Sequence, residues 1–207
     1  MVRAMRSLLL AAALTAAAPA LADGVPAKGD GTITVLGGLR AIPGGDYAST
    51  SGQTHSLLHP GVLLGLGYQP DDELHAGIQL GYGLDQYGDG AAALKVKSFQ
   101  ILLELDTALM RGSWYTLYAG GGIGYSLNTA TRNGLNVEAN STAGFVALGF
   151  RARLVDHLAL VVEDRYTLSS ANLDPNVGSS VNVGGNFFGV GLQLHFFSAD
   201  DKPANTD

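Results

Sequence analysis

The stretch GNFFGVGLQLHFF, residues 185–197, places apolar side chains at every second position. Successive side chains of a β-strand point to opposite faces of the sheet. One face of this stretch is therefore wholly apolar, with Phe188, Val190, Leu192, Leu194 and Phe196. The other face is small or polar, with Gly189, Gly191, Gln193 and His195. An apolar row beside a small or polar one is typical of a strand with lipid on one side and a narrow interior on the other.

The same alternation recurs along the rest of the chain in runs of about ten residues, the length that a tilted transmembrane strand needs. Seven earlier segments show it: Gly31–Arg40, Gly61–Gln69, Glu73–Asp85, Lys95–Leu109, Trp114–Leu127, Thr142–Leu154 and Leu158–Ser169. An unpaired backbone group in hydrocarbon costs several kcal/mol, so a spanning sheet has to close on itself. The sequence therefore predicts an all-β protein, an eight-stranded antiparallel up-and-down transmembrane β-barrel.

The connections between these strands alternate in length. Short ones are predicted at Pro70–Asp72, Met110–Ser113 and Val155–His157, and longer ones at Ala41–Pro60, Gln86–Leu94, Asn128–Ser141 and Ser170–Gly184. Short periplasmic turns and long external loops distinguish the two ends of outer-membrane barrels. Aromatic residues near the strand ends predict interfacial girdles: Tyr68, Tyr82, Tyr115, Tyr125, Tyr166, Phe188 and Phe196.

The N-terminus indicates export. Arg3 and Arg6 precede an apolar run that ends in Ala20-Leu21-Ala22, a small-x-small cleavage pattern. An uncleaved anchor is the alternative, but the run is shorter than the roughly 20 residues of a membrane-spanning helix. We therefore expect a signal peptide at 1–22, a barrel at 23–197 in the outer membrane, reached through the periplasm, and a polar C-terminal tail at 198–207.

Composition excludes several classes of protein. The net charge is −6 and becomes more negative once the leader arginines are removed, which argues against nucleic acid as a partner. The chain has no cysteine, so neither a disulfide framework nor a thiolate site exists. A soluble, ligand-carrying barrel stays open as an alternative, and its outer face should then be polar.

Three of the predicted strands each carry two charged residues at positions that point inward. If Glu163 and Arg165 point inward, so do Glu104 and Asp106 on the fourth strand and Arg151 and Arg153 on the sixth. Buried charges without partners are penalised by several kcal/mol, so we expect an ion-pair network in the lumen. One interpretation is a structural plug, and the alternative is a gate whose pairs exchange partners. Inward glycines on the second, third, fifth and eighth strands favour close packing, or else a cavity capped by Trp114, Tyr118 or Phe145.

The run LVVEDRYT, residues 160–167, resembles the penultimate strand of small opacity-type and OmpA-like outer-membrane barrels. The resemblance implies a non-enzymatic barrel with a structural or surface-interaction role, in contact with the bilayer and presenting its loops to an extracellular ligand. It also implies that the barrel-assembly machinery reads a signal in the last strand, at Gly191, Leu192, Leu194 and Phe196. Asp164 departs from the family, which has an apolar or aromatic residue facing lipid there.

Sites for catalysis, cofactors or metals are not predicted. The histidines show no HExxH spacing, and neither a Gly-x-Ser-x-Gly elbow nor a phosphate-binding loop occurs. His55 and His59 with Asp46 are better explained as solvated loop residues than as metal ligands. A narrow channel for small or apolar solutes, as in OmpW-like barrels, is the alternative function. A lipid-modifying enzyme comes third, because the His-x-Ser pattern of the deacylase type is missing.

Overall fold

The computed structural model describes residues 28–41, 59–87, 94–172 and 181–196. Within these ranges the chain forms nine strands: β1 (Gly31–Ala41), β2 (His59–Tyr68), β3 (Leu74–Tyr87), β4 (Leu94–Arg111), β5 (Tyr115–Arg132), β6 (Leu135–Val155), β7 (Leu158–Ala171), β8 (Val181–Asn182) and β9 (Gly185–Phe196). The expected signal peptide, the polar tail and most of the long connections lie outside the described residues.

Eight of these strands close into a barrel. Every neighbouring pair is antiparallel, β9 pairs with both β1 and β7, and β6 pairs with β7, so the ring of β1–β7 and β9 leaves no open edge. The two-residue β8 pairs only with the end of β7. The strands are staggered around the ring. Stepping from each residue to its partner on the next strand, starting at Ala159 on β7, leads back to β7 at Ser169 and not at Ala159. A stagger of this size tilts the strands by roughly 40° to the barrel axis. The predicted fold class is confirmed.

The outer face of the barrel is apolar. Ile123, Val146 and Leu168 expose 70%, 64% and 61% of their surface, and alternate residues on every strand of the barrel point the same way. Inward side chains on the same strands are buried. The alternative of a soluble barrel required a polar outer face, so the apolar face rules against it. In the described part of the chain no helix is long and apolar enough to cross a membrane.

Aromatic side chains lie in two groups on this outer face. Tyr68 and Phe196 both pair with Gly31 at the end where the short turns lie, and Tyr115 begins β5 at that same end. Tyr115 stacks on Phe150 there, with ring centroids 5.8 Å apart. The other group lies toward the long connections, with Tyr82, Tyr125, Tyr166 and Phe188. Two such bands suit the two headgroup regions of a bilayer.

The predicted long connection at Asn128–Ser141 is wrong. Strands β5 and β6 continue through it, from the pair Asn128 and Ala139 to the pair Arg132 and Leu135, and only Asn133 and Gly134 form the turn. Their φ values of 50° and 79° are those of a two-residue hairpin turn. The Ser, Thr and Asn content of this stretch suggested a loop, but its alternation and the Asn-Gly pair favour a hairpin.

Asp164 lies in the middle of the outward row of β7. Its neighbours across the ladders are Leu148 on β6 and Phe188 on β9, and the pairing runs through it without a bulge. Its Oδ1 accepts a hydrogen bond of 2.8 Å from Asn186. A carboxylate on a lipid-facing row is expected to lie near an interface, to be protonated or to stand in a bulge. The regular ladder at Asp164 removes the bulge.

Candidate functional site

The six charged residues predicted for the lumen all point inward and are buried. Glu104 and Asp106 come from β4, Arg151 and Arg153 from β6, and Glu163 and Arg165 from β7. Residues two apart on a strand share a face, so each pair enters the lumen together. The tilt and register of the strands then determine which of these charged groups come into contact.

Arg165 is the centre of the first group. Its guanidinium binds Glu163 Oε1 through Nη2 at 2.8 Å and Nε at 2.9 Å, and Nη2 lies 3.3 Å from Glu104 Oε1. The Arg165 side chain is only 2% exposed. Gln79 donates a further hydrogen bond to Glu104, and Tyr118 donates one of 2.7 Å to Glu163. Two buried carboxylates therefore share one guanidinium, and each has an additional neutral donor.

Asp106 is the centre of the second group. Arg151 binds it with both terminal nitrogens, at 3.0 Å and 2.7 Å, in the two-pronged geometry that makes arginine–carboxylate pairs strong. His75 Nδ1 lies 2.9 Å from Asp106 Oδ2, and His75 Nε2 lies 3.0 Å from Thr32 Oγ1. This group ties β1, β3, β4 and β6 together across the lumen.

Aromatic rings join the two groups. The Arg151 guanidinium lies 3.8 Å from the centroid of Tyr118, whose hydroxyl binds Glu163 in the first group. The Arg165 guanidinium lies 3.9 Å from the centroid of Phe145. Desolvated cation–π contacts of this kind contribute about 2 kcal/mol each. The two groups consequently behave as one connected layer across the middle of the barrel.

Arg153 does not join this layer. Its Nη2 lies 2.5 Å from Asp156 Oδ1 in the turn that follows β6, and the Asp156 side chain is 82% exposed. The strand pairing shifts between Arg153 and Val155, next to this turn. Arg153 is thus the last inward charge of β6, and a carboxylate in the turn lies closer to it than those of the central layer.

The lumen also contains a buried ion pair that was not predicted. Arg40 Nη1 lies 3.4 Å from Asp85 Oδ2, near the opposite end of the lumen, and Arg40 Nη2 donates to the carbonyl oxygen of Val183 at 3.2 Å. Both residues stand at inward positions of predicted strands, so the alternation could have identified them. Their pairing depends on the register between β1, β2 and β3.

Three of these residues also have the composition of a metal site. His75, Glu104 and Asp106 each offer a ligand atom, and the three atoms lie within 4.8 Å of one another. Both carboxylates already bind guanidinium groups, and the His75 ring binds Asp106 and Thr32. A cation would have to displace Arg151 and Arg165, so the arrangement serves ion pairing.

Apolar side chains fill much of the lumen around the charges. One cluster contains Leu36, Leu63, Tyr118, Val161 and Phe187, and a second contains Leu102, Ala143, Phe145 and Ala147. A third, with Val96, Ala130, Ala171 and Val183, lies toward the external end. An eight-stranded barrel is just wide enough for side chains to fill its interior. Of the cap residues predicted for a cavity, Tyr118 and Phe145 belong to this filling, whereas Trp114 packs outside against Tyr115 and Phe150.

The residues expected to form the assembly signal lie in β9. Leu192, Leu194 and Phe196 point outward and are 46%, 46% and 49% exposed, while Gly191 stands on the inward row. This strand makes the last closure of the barrel, between β1 and β7.

Comparison with known proteins agrees with this architecture. The family model described as outer membrane protein beta-barrel domain matches residues 7–196. The fold is similar to Neisserial surface protein A, with a TM-score of 0.60 and 15% identity over 83% of this chain and 100% of that one. It is also similar to OprG from Pseudomonas aeruginosa, with a TM-score of 0.59 and 18% identity over 83% and 98% of the two chains. Ail of Yersinia pestis gives a TM-score of 0.52 and 12% identity over 82% and 99%.

No sequence among the curated proteins matches the chain. The structural matches share too few residues to indicate more than the fold, whereas the family model spans most of the sequence. The predicted family resemblance and location are thereby confirmed. The chain belongs to the outer membrane protein beta-barrel domain family and is a small β-barrel of the Gram-negative outer membrane.

Proposed function

We propose that this barrel is a non-enzymatic protein with a structural or surface-interaction role, anchored by its outer face and plugged by its lumen. The observation that carries this proposal is the connected layer of Arg165, Glu163, Glu104, Asp106 and Arg151 across the middle of the barrel. Apolar clusters border the layer. A passage for solute would require several buried ion pairs to open together.

We infer that any partner binds at the external connections. Three of the four external connections, 41–60, 86–94 and 170–184, contain Asp46, Asp89 and Asp174 but no lysine or arginine, whereas Arg132 lies at the fourth, the hairpin between β5 and β6. Ail has been crystallised with the heparin analogue sucrose octasulfate. The acidic connections of the present chain disfavour a polyanion of that kind, because like charges repel. A neutral or cationic partner suits this surface better.

Export and assembly complete the proposal. Residues 1–22 would be removed on passage to the periplasm, and the barrel-assembly machinery would then read Gly191, Leu192, Leu194 and Phe196. The exposed apolar row of β9 and its position at the closure of the barrel support such a signal. The polar residues 198–207 would follow it as a tail.

The alternative is a narrow channel, and one feature favours it. Glu104 and Glu163 both bind the same guanidinium, so Arg165 has two partners between which it could exchange. Such an exchange would open the layer without leaving Arg165 unpaired.

Single-channel conductance in planar bilayers separates the two functions. The refolded chain lacking residues 1–22 would be compared with Glu104→Ala, which removes one partner of Arg165, and with Leu103→Ala, whose side chain faces lipid on the same strand. We expect stable insertion without conductance steps in the wild type and in Leu103→Ala. Discrete steps in the wild type that grow in Glu104→Ala would support the channel and overturn the plug.

A further inference from the structure

A small cavity lies in the lumen on the external side of the ion-pair layer. Its volume is about 20 Å³. The polar residues around it are Arg40, Gln100, Arg165 and Thr167, with Phe187 between the two guanidinium groups. This volume suits one or two water-sized groups. The cavity is too small for a sugar or a nucleotide, so only the terminal polar group of a small ligand would enter it.

Glycine residues create this space. Gly61 pairs with Gly83, and Gly81 pairs with Leu63, so three of these four inward positions of β2 and β3 carry no side chain. A Cβ atom at Gly83 would collide with the Arg40 guanidinium. At Gly81 it would lie 3.0 Å from Leu63 Cδ2 and 3.3 Å from Gln100 Oε1. The cavity therefore lies against glycine-rich strands, but the caps predicted from the sequence, Trp114, Tyr118 and Phe145, are not among its described lining residues.

Two of the residues that line the cavity carry hydrogen-bond donors without a partner among the described residues. Arg165 Nη1 and Gln100 Nε2 are buried and find no hydrogen-bond acceptor in the described part of the protein. Glu104 and Glu163 contact Arg165 only through Nη2 and Nε, so Nη1 of this cavity-lining residue has no carboxylate partner in the described part of the protein. Arg40 adds a second guanidinium, held by Asp85 and the Val183 carbonyl. None of the described lining residues carries a carboxylate.

Two guanidinium groups and an amide donor around a cavity without an acidic lining residue favour an anionic acceptor. Charge-assisted hydrogen bonds to a carboxylate are roughly twice as strong as neutral ones, and a planar carboxylate matches the guanidinium geometry. The carboxylates of the central layer accept hydrogen bonds from Gln79 and Tyr118 as well as from Arg165, so Arg165 is not their sole donor. We propose that this cavity binds the carboxylate group of a small organic acid that enters from the external end, between Arg40, Arg165 and Gln100.

Acetate is the simplest probe of this site. Sodium acetate would be titrated into the isotope-labelled, refolded chain in alkyl maltoside micelles, with sodium chloride at equal ionic strength as the competing anion. The readouts are the backbone amides of Gly81 and Gly83 and the side-chain amide of Gln100. We expect saturable shifts with acetate at these groups.

Two variants test the residues separately. Arg40→Gln removes one guanidinium, and Gly81→Ala fills part of the cavity without changing any charge. Each should weaken acetate binding by about tenfold or more, the loss that corresponds to one charge-assisted hydrogen bond. Arg153→Gln is the matched control, because it removes the same charge at the opposite end of the lumen, where Arg153 pairs with Asp156.

The proposal predicts unchanged acetate affinity in Arg153→Gln. Three results would overturn it: no saturable shift in a protein that migrates as a folded barrel, the same shifts at the same concentration of chloride, or equal acetate affinity in Arg40→Gln, Gly81→Ala and the wild type. Because the assay measures binding and not conductance, its outcome is independent of whether the lumen is a plug.

Discussion

Replacing Arg165 by methionine should strongly destabilise the folded barrel. The guanidinium is 2% exposed and holds Glu163 at 2.8 Å and Glu104 at 3.3 Å. Methionine keeps an apolar stem against Phe145 but leaves two carboxylates facing each other without a cation. Removing one partner of a buried ion pair costs about 3–5 kcal/mol. Gln79 and Tyr118 still donate to the carboxylates, so we expect a loss within this range and not above it.

The free energy of unfolding can be measured by urea titration in phospholipid vesicles. Trp114 is the only tryptophan of the chain, and its position beside Tyr115 and Phe150 makes its fluorescence a probe of the membrane-inserted state. A shift of gel migration on heating reports the folded fraction independently. Arg153→Gln is the control, because its partner Asp156 is largely exposed, so this variant leaves no buried carboxylate without a cation and should cost less than Arg165→Met.

A combined variant tests the cause of the loss. Glu104→Gln and Glu163→Gln added to Arg165→Met remove all three charges, and replacing a complete buried ion group by neutral residues is often close to neutral in stability. We expect the triple variant to recover most of the lost free energy. A loss below about 1 kcal/mol in Arg165→Met, or no recovery in the triple variant, would refute the reasoning that the charges depend on one another.

Two further predictions concern the outer face and the hairpin. Asp164→Leu should stabilise the barrel in vesicles by about 1–2 kcal/mol, because it removes a lipid-facing carboxylate whose protein contact is Asn186. If the free energy of unfolding of this variant is equal to or lower than that of the wild type, the carboxylate is in contact with water or headgroups. Gly134→Val should cost about 1–2 kcal/mol, since its φ of 79° is unfavourable for a β-branched residue. Hydrogen exchange should then accelerate in the outer pairs of β5 and β6, while unaltered exchange there would contradict the turn assignment.

Much of the fold follows from local sequence. A period of two assigns each residue to one face, so the apolar row and the inward charges were predictable without any knowledge of strand pairing. The connection at Asn128–Ser141 shows the limit of this reasoning. Composition there resembles a loop, yet Asn133 and Gly134 adopt the positive φ that lets two long strands join directly.

The partners of the lumen charges were decided by tertiary structure. Glu104 and Arg165 are far apart in the chain, and only the stagger of the closed ladders brings them to 3.3 Å. The same stagger leaves Arg153 at the turn with Asp156 and sets Arg40 beside Asp85. It also brings the inward glycines of β2 and β3 together to form a cavity. Alternation thus determines which way each side chain points. Register determines which other side chains it contacts, and register is fixed only when the whole ring closes.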